Sequence, residues 1–237
     1  MNRFVAAFQF FLRKLFSFLN IPAIIYDTMI TRSVTTHMYQ DFYTAAKKKI
    51  HSSANILDVG VGTGYALESI IDRIPESTKV FGIDIDPFYV QSAQKRFKNR
   101  KNVNIQLQNF YEMKATNQKF DIIIFSMSIM LMPDQAKAIE LAKTLLNENG
   151  RIYFLLTLNN KRNRLMEKIK PAIKYMTTID FGKVTYENDF DNLRSNCGLV
   201  TLNKQRVNTS INVFLKAFRI FTIETIPKEF QETQVVM

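Results

Sequence analysis

The sequence predicts an α/β fold: a Rossmann-like, seven-stranded, mostly parallel sheet with helices on both faces, preceded by an amphipathic helical extension. Three observations predict it. Short β-branched runs alternate with helical periods after Lys49. The glycine-rich turn "VGVGTG" directly follows the first run, and an acid, Asp84, ends the second. Alternating strands and helices build parallel sheets, and ligands bind such sheets outside the carboxyl ends of their strands.

Taken in order, the strands are predicted at 55–60 (NILDVG), 79–84 (KVFGID), 102–108 (NVNIQLQ), 120–127 (FDIIIFSM) and 151–156 (RIYFLL), with two more near 199–207 and 214–225. Helical periods fall at 65–74, 87–98 and 134–146, and a further helix is predicted over 188–196, ending at Gly198. Asp86 before Pro87 is a helix start, an N-cap carboxylate with proline at the first helical position. Asn149 and Gly150 read as the turn into the fifth strand. Asp121, just inside the fourth strand, reads as a structural residue.

With 237 residues, the chain accommodates one domain of catalytic size, assigned to 51–237, plus an N-terminal extension over 1–50. In "MNRFVAAFQFFLRKLFSFLN" the polar and basic positions, Arg3, Gln9, Arg13, Lys14, Ser17 and Asn20, share an arc of roughly 140° while phenylalanines and leucines fill the remainder, with Ala6 and Phe10 alone violating the split. Arg13 and Lys14 would each cost about 2.5 to 3.5 kcal/mol at a bilayer centre, which disfavours a spanning helix. Three readings stay open: a cationic helix lying on a membrane surface, a helix packed on the domain or a partner protein, and a mitochondrial targeting sequence. The expected location is therefore intracellular and membrane-associated, with a mitochondrion among the compartments that fit. The following segment, 26–50, reads as one or two covering helices.

Composition narrows the chemistry. Cys197 is the only cysteine, so no internal disulfide or CxxC pair can form, and it reads as a small buried hydrophobe. The two histidines, His37 and His51, do not suffice for a histidine-rich site, and no metal is expected. A formal net charge of +11 suits nucleic acid, an anionic membrane or an acidic protein without choosing between them.

The glycine loop is more selective. Dinucleotide folds want GxGxxG, but Tyr65 stands where the final glycine is needed. Asp58 beside the loop would repel a pyrophosphate and favour a cofactor that carries a sulfonium and an ammonium. S-adenosylmethionine fits better than NAD. Asp84 lies 20 residues beyond Gly64, where an acid can accept from both ribose hydroxyls, and Ile85 is placed to lie against the adenine.

Through "LDVGVGTG", "VFGIDIDP", "IQLQNF" and "FDIIIFSMSIMLMPD", in that order over 55–156, the chain resembles the class I S-adenosylmethionine-dependent methyltransferases. The resemblance implies that Asp58, Gly60, Gly62 and Gly64 hold the methionine part of the cofactor, Asp84 the ribose, and Asn109 with Phe110 the adenine edge. Ser126 and Met127 would border the methyl group. The family usually has aspartate at the place of Asn109, whose amide oxygen accepts without the charge. A weaker similarity of "YDTM", with Ser33 and His37, to quinone-biosynthesis methyltransferases implies a cofactor contact for Tyr26 and a general base in His37. A packed or solvated His37 is the competing reading.

The segment after the fourth strand, "SMSIMLMPD", lacks the Asp/Asn-Pro-Pro pattern of enzymes that methylate exocyclic amines of bases, and it has Met130, Leu131 and Met132 where many small-molecule members carry histidines. The leading expectation is a methyltransferase acting on an apolar or lipid-like small molecule at a membrane surface. A methyltransferase-fold subunit of a larger membrane or mitochondrial complex with little or no catalysis, and an RNA methyltransferase, are the alternatives.

Overall fold

The computed structural model describes residues 53–114, 118–164, 167, 184–207 and 219–235. The amphipathic and covering segments predicted over 1–50, with Tyr26 and His37, lie outside them. Within the described residues the elements run β1 (Asn55–Val59), α1 (Tyr65–Ile71), β2 (Lys79–Asp84), α2 (Pro87–Arg96), β3 (Val103–Leu107), a 3₁₀ turn (Phe110–Glu112), β4 (Phe120–Ser126), a second 3₁₀ turn (Ile129–Leu131), α3 (Gln135–Leu145), β5 (Leu146–Thr157), α4 (Glu187–Asn196), β6 (Leu199–Arg206), β7 (Ile220–Pro227) and α5 (Lys228–Val235).

The strands form one sheet in the order β3-β2-β1-β4-β5-β7-β6. Pairings from β3 through β5 are parallel, and β7 enters antiparallel between β5 and β6. A parallel sheet needs cover on both faces, and the side-chain alternation of period two supplies it. On one face Leu57, Ile123, Phe125, Phe154 and Leu156 pack with Ala138, Ile139 and Ala142 of α3 and Phe190 of α4. On the other, Ile56, Val80, Ile105, Ile122 and Ile124 pack with Leu67 and Ile70 of α1 and Val90 and Ala93 of α2. Phe154 is fully buried, stacked on Phe125 at 5.4 Å between centroids and edge-on to Phe190 at 5.4 Å.

Several local expectations hold. Asp86 caps α2, accepting from the Phe88 and Tyr89 amides, with Pro87 at the first helical position. Asp121 stitches three strands: its Oδ2 accepts from the Asn55 amide at 2.7 Å and its Oδ1 from Asn147 Nδ2 at 2.7 Å. Cys197 is 6 % exposed in the core, where burial pushes its thiol pKa up.

Others shift. Asn149 and Gly150 were expected to precede the fifth strand, but they lie within β5, whose pairing with β4 begins already at Phe120↔Leu146 and resumes at Ile122↔Arg151. The intervening residues bulge, with Asn149 at φ 64°. The last strand is described over Ile220–Pro227, past its expected end at 225, and its expected start at 214 lies outside the described residues. The C-terminal helix α5 was not foreseen; Phe230 packs against the larger core cluster.

Truncating the ring at the centre of this core should be costly. Phe154→Ala is expected to lower the unfolding free energy by about 3–5 kcal/mol, read from the urea midpoint at unchanged m-value.

Candidate functional site

β1 ends where the chain must turn sharply into α1, and three glycines make the turn: Gly60, Gly62 and Gly64 have φ of 75°, 58° and 77°. The first is also forced by contact, because a Cβ on Gly60 would lie 2.5 Å from Ser128 Cβ. The second has room: among the described residues nothing lies within 4 Å of where its Cβ would stand. The Gly60 and Val61 amides both donate to the Ile83 carbonyl, at 2.8 and 3.0 Å, which fastens the loop to the end of β2.

The next amide reaches the acid. Gly62 N–H donates to Asp84 Oδ2 at 2.9 Å, and the Asp86 amide donates to Asp84 Oδ1 at 3.0 Å. Burial pushes the Asp84 carboxyl above its ordinary value of 3.8, while these backbone donors pull it down. Because the folded pKa is raised, the carboxyl's contribution to stability of the ligand-free fold is complete below the usual carboxylate range and is lost as pH rises through the raised value. A ligand that brings hydroxyl donors to this carboxylate reverses the balance. A carboxylate offers about four acceptor sites, so beside the Gly62, Asp86 and Ile85 amides it keeps capacity for a ligand hydroxyl.

Behind the loop, α2 acts as a brace. Arg96 Nε donates to the Thr63 carbonyl at 3.0 Å, its guanidinium lies 5.4 Å over the Tyr65 ring, and it pairs with Glu68. Tyr65, whose presence argued against a dinucleotide, is thereby held on the α2 side.

Asp58 sits in β1 between Gly82 of β2 and Ile124 of β4, 1 % exposed. Ile85 is 73 % exposed just past Asp84, an apolar side chain available to a flat ligand. Asn109 starts the 3₁₀ turn after β3: Oδ1 accepts from the Tyr111 amide and Nδ2 donates to Glu112 Oε1, both at 3.1 Å. The Phe110 ring is 3 % exposed and edge-on to Phe125. Its backbone, not its ring, is what remains for a ligand at that turn.

At the end of β4, Ser126 Oγ is buried without a hydrogen-bond partner among the described residues. Met127 follows at φ 59°, a strained angle for a side-chain-bearing residue. Ser128 Oγ then donates to the Val59 carbonyl, and this bond brings the segment after β4 against the glycine loop. Met130 is 7 % exposed, while Met113, Met127 and Met132 pack around the same core cluster. Leu131 is 45 % exposed. Among the described residues no group of acids, cysteines and histidines is arranged to hold a metal ion.

The structure thus gathers Gly60, Gly62, Asp84 and Ser126 with their neighbours at the carboxyl end of the sheet. Sequence reading missed Ser128, Arg96 and Tyr111. A single serine, arginine or tyrosine leaves no periodic or spacing signal; only the tertiary fold brings Ser128 and Arg96 to the loop and Tyr111 to Asp134.

Residues 50–180, more than half of the chain, match the family model described as a methyltransferase domain. The chain belongs to the class I S-adenosylmethionine-dependent methyltransferases. It is 30 % identical over 124 residues to malonyl-[acyl-carrier protein] O-methyltransferase 1 of Ilyobacter polytropus, a match covering 51 % of this chain and 46 % of that protein. Against the tRNA1(Val) (adenine(37)-N6)-methyltransferase of Haemophilus influenzae it is 30 % identical over 124 residues, covering 43 % and 53 % respectively. The chain therefore spans about half the length of the curated relatives it matches. The YcgJ protein from Bacillus subtilis shares the fold with a TM-score of 0.63 at 14 % identity, covering 81 % of this chain and 99 % of that one.

The room at Gly62, the acceptor capacity of Asp84 and the apolar Ile85 fit S-adenosylmethionine, the methyl donor of this family. The loop's own geometry is testable apart from binding. Gly62→Ala, with room but a left-handed φ, should cost about 1–2 kcal/mol of stability, and Gly60→Ala should cost more because Ser128 must also move. Parallel thermal and urea unfolding of the two variants checks the order.

Proposed function

We propose that this chain transfers the methyl group of S-adenosylmethionine to an apolar small molecule. The observation that carries the reading is the Ser128 bond to Val59, which sets the uncharged segment 126–132 beside the glycine loop. When bound, the cofactor supplies an electrophilic methyl on a sulfonium, so the protein's main task is to align an acceptor with it.

Each residue then has a part. Asp84 accepts from the ribose hydroxyls, Gly62 leaves room for the ligand to approach the backbone, and Ile85 lies along the adenine face. Asn109 and the backbone of Phe110 meet the adenine edge. Asp58 with the glycine loop takes the methionine part, and Ser126 offers its buried hydroxyl beside the methyl position. Tyr26 contacts the methionine end and His37 serves as general base; both lie outside the described residues. The methionines and Leu131 of segment 126–132 exclude water and select an acceptor without charge.

The similarity to a tRNA adenine methyltransferase raises an RNA acceptor. Segment 126–134 reads Ser-Met-Ser-Ile-Met-Leu-Met-Pro-Asp and carries no aspartate or asparagine followed by two prolines to grip an exocyclic amine, which favours the small molecule. An acceptor of this kind partitions into membranes, and the amphipathic segment 1–20 would bring the enzyme to it.

Titration calorimetry with S-adenosylhomocysteine tests the cofactor half. The wild type should bind, with affinity rising as pH climbs through the raised Asp84 pKa, because the ionised carboxylate is the acceptor. Asp84→Ala should lose about tenfold or more and the pH dependence with it. No heat from the wild type would overturn the proposal.

Vesicle flotation tests the membrane half. The full chain should float with anionic vesicles, and a chain beginning at Asn20 should stay at the bottom. Equal flotation of the two would remove the first segment from that role.

A further inference from the structure

Two turns at the carboxyl end of the sheet are joined by one hydroxyl. Tyr111, in the 3₁₀ turn after β3, donates through its OH to the Asp134 carbonyl at 2.7 Å and accepts from the Asp134 amide at 3.1 Å. Asp134 is also the N-cap of α3, its Oδ1 accepting from the Lys137 amide at 2.9 Å. Burial, together with the field of Asp134, keeps the phenol pKa above its ordinary value, so at neutral pH it retains the proton it donates.

The segment between β4 and α3 is consequently held at both ends. Ser128 pins its start to Val59, beside the cofactor loop. Tyr111 pins its end. Between them the Leu131 and Met132 amides close the 3₁₀ turn onto Ser128 and Ile129, and Gln135 Nε2 donates to the Ile129 carbonyl at 3.2 Å. A segment closed on itself in this way moves as a unit when one end is displaced.

The turn that carries Tyr111 is in turn held by Asn109, whose Oδ1 accepts from the Tyr111 amide and whose Nδ2 donates to Glu112. A ligand that engages the Asn109 amide shares the oxygen and nitrogen that make those bonds, and by fixing the side chain it acts on the backbone of Tyr111. We propose that Tyr111 is a positioning residue that transmits cofactor occupancy from the turn after β3 to the acceptor-facing segment 128–134. The inference rests on the cofactor placement proposed above. Its consequence is ordered assembly: the wall that receives the acceptor becomes fixed once the adenine is seated.

Hydrogen exchange with S-adenosylhomocysteine as the probe tests it. In the wild type, ligand should slow exchange in 108–113 and also in 128–135, the second by about fivefold or more. In Tyr111→Phe, which keeps the ring that contacts Phe110 and Lys137, affinity should stay within about threefold and protection at 108–113 should persist while that at 128–135 is lost. Lys137→Ala removes the cation over the ring without touching the hydroxyl and should behave as wild type. Binding by the wild type without protection at 128–135, or protection there that survives in Tyr111→Phe, overturns the positioning role alone. Absence of binding by the wild type overturns the cofactor placement, and this role with it.

Discussion

Two neighbouring amides, those of Gly60 and Val61, share the single carbonyl of Ile83, and the architecture of the site hangs on that convergence. A carbonyl with two lone pairs can satisfy both donors, so the chain leaves β1 without an orphaned buried amide. Once those bonds are made, the next amide, Gly62, points at Asp84. The acid at the end of β2 and the loop at the end of β1 are therefore one unit, and a ligand meeting either meets both.

That unit is narrow, and the residues around it serve to keep it so. Ser128 occupies the volume a side chain on Gly60 would need, while Arg96 braces the loop from α2 through the Thr63 carbonyl and the Tyr65 ring. The loop is gripped by Ser128 on one side and α2 on the other, and among the described residues Gly62 is the glycine with room beside it. Binding affinity in such a place comes from preorganisation more than from contact area.

Much of the core was legible from the sequence because its physics is local. β2 appears over the residues expected, and Asp86-Pro87 starts α2 by capping chemistry that needs no tertiary context. What failed to show depended on partners distant in sequence. β5 begins early because Leu146 pairs with Phe120, overriding the turn preference of Asn149-Gly150. α5 has little apolar periodicity and owes its place to Phe230 against the core. In the site, Asp84 and the glycines were readable from spacing, whereas Phe110 turns its ring inward to Phe125, and Ser128, Arg96 and Tyr111 acquire meaning only through strand order.

The position of β7 has a further consequence for how the chain is made. It is the last of the described strands yet sits inside the sheet, hydrogen-bonded on one side to β5 and on the other to β6. During synthesis β5 and β6 emerge first, each with a bare edge where β7 will lie, and neither can close the sheet alone. β6 carries Asn203, Lys204, Gln205 and Arg206, which protect its edge, but β5 is apolar. An unpaired apolar edge is sticky, so until residues 220–227 are made the β5 edge is the nascent chain's exposed liability.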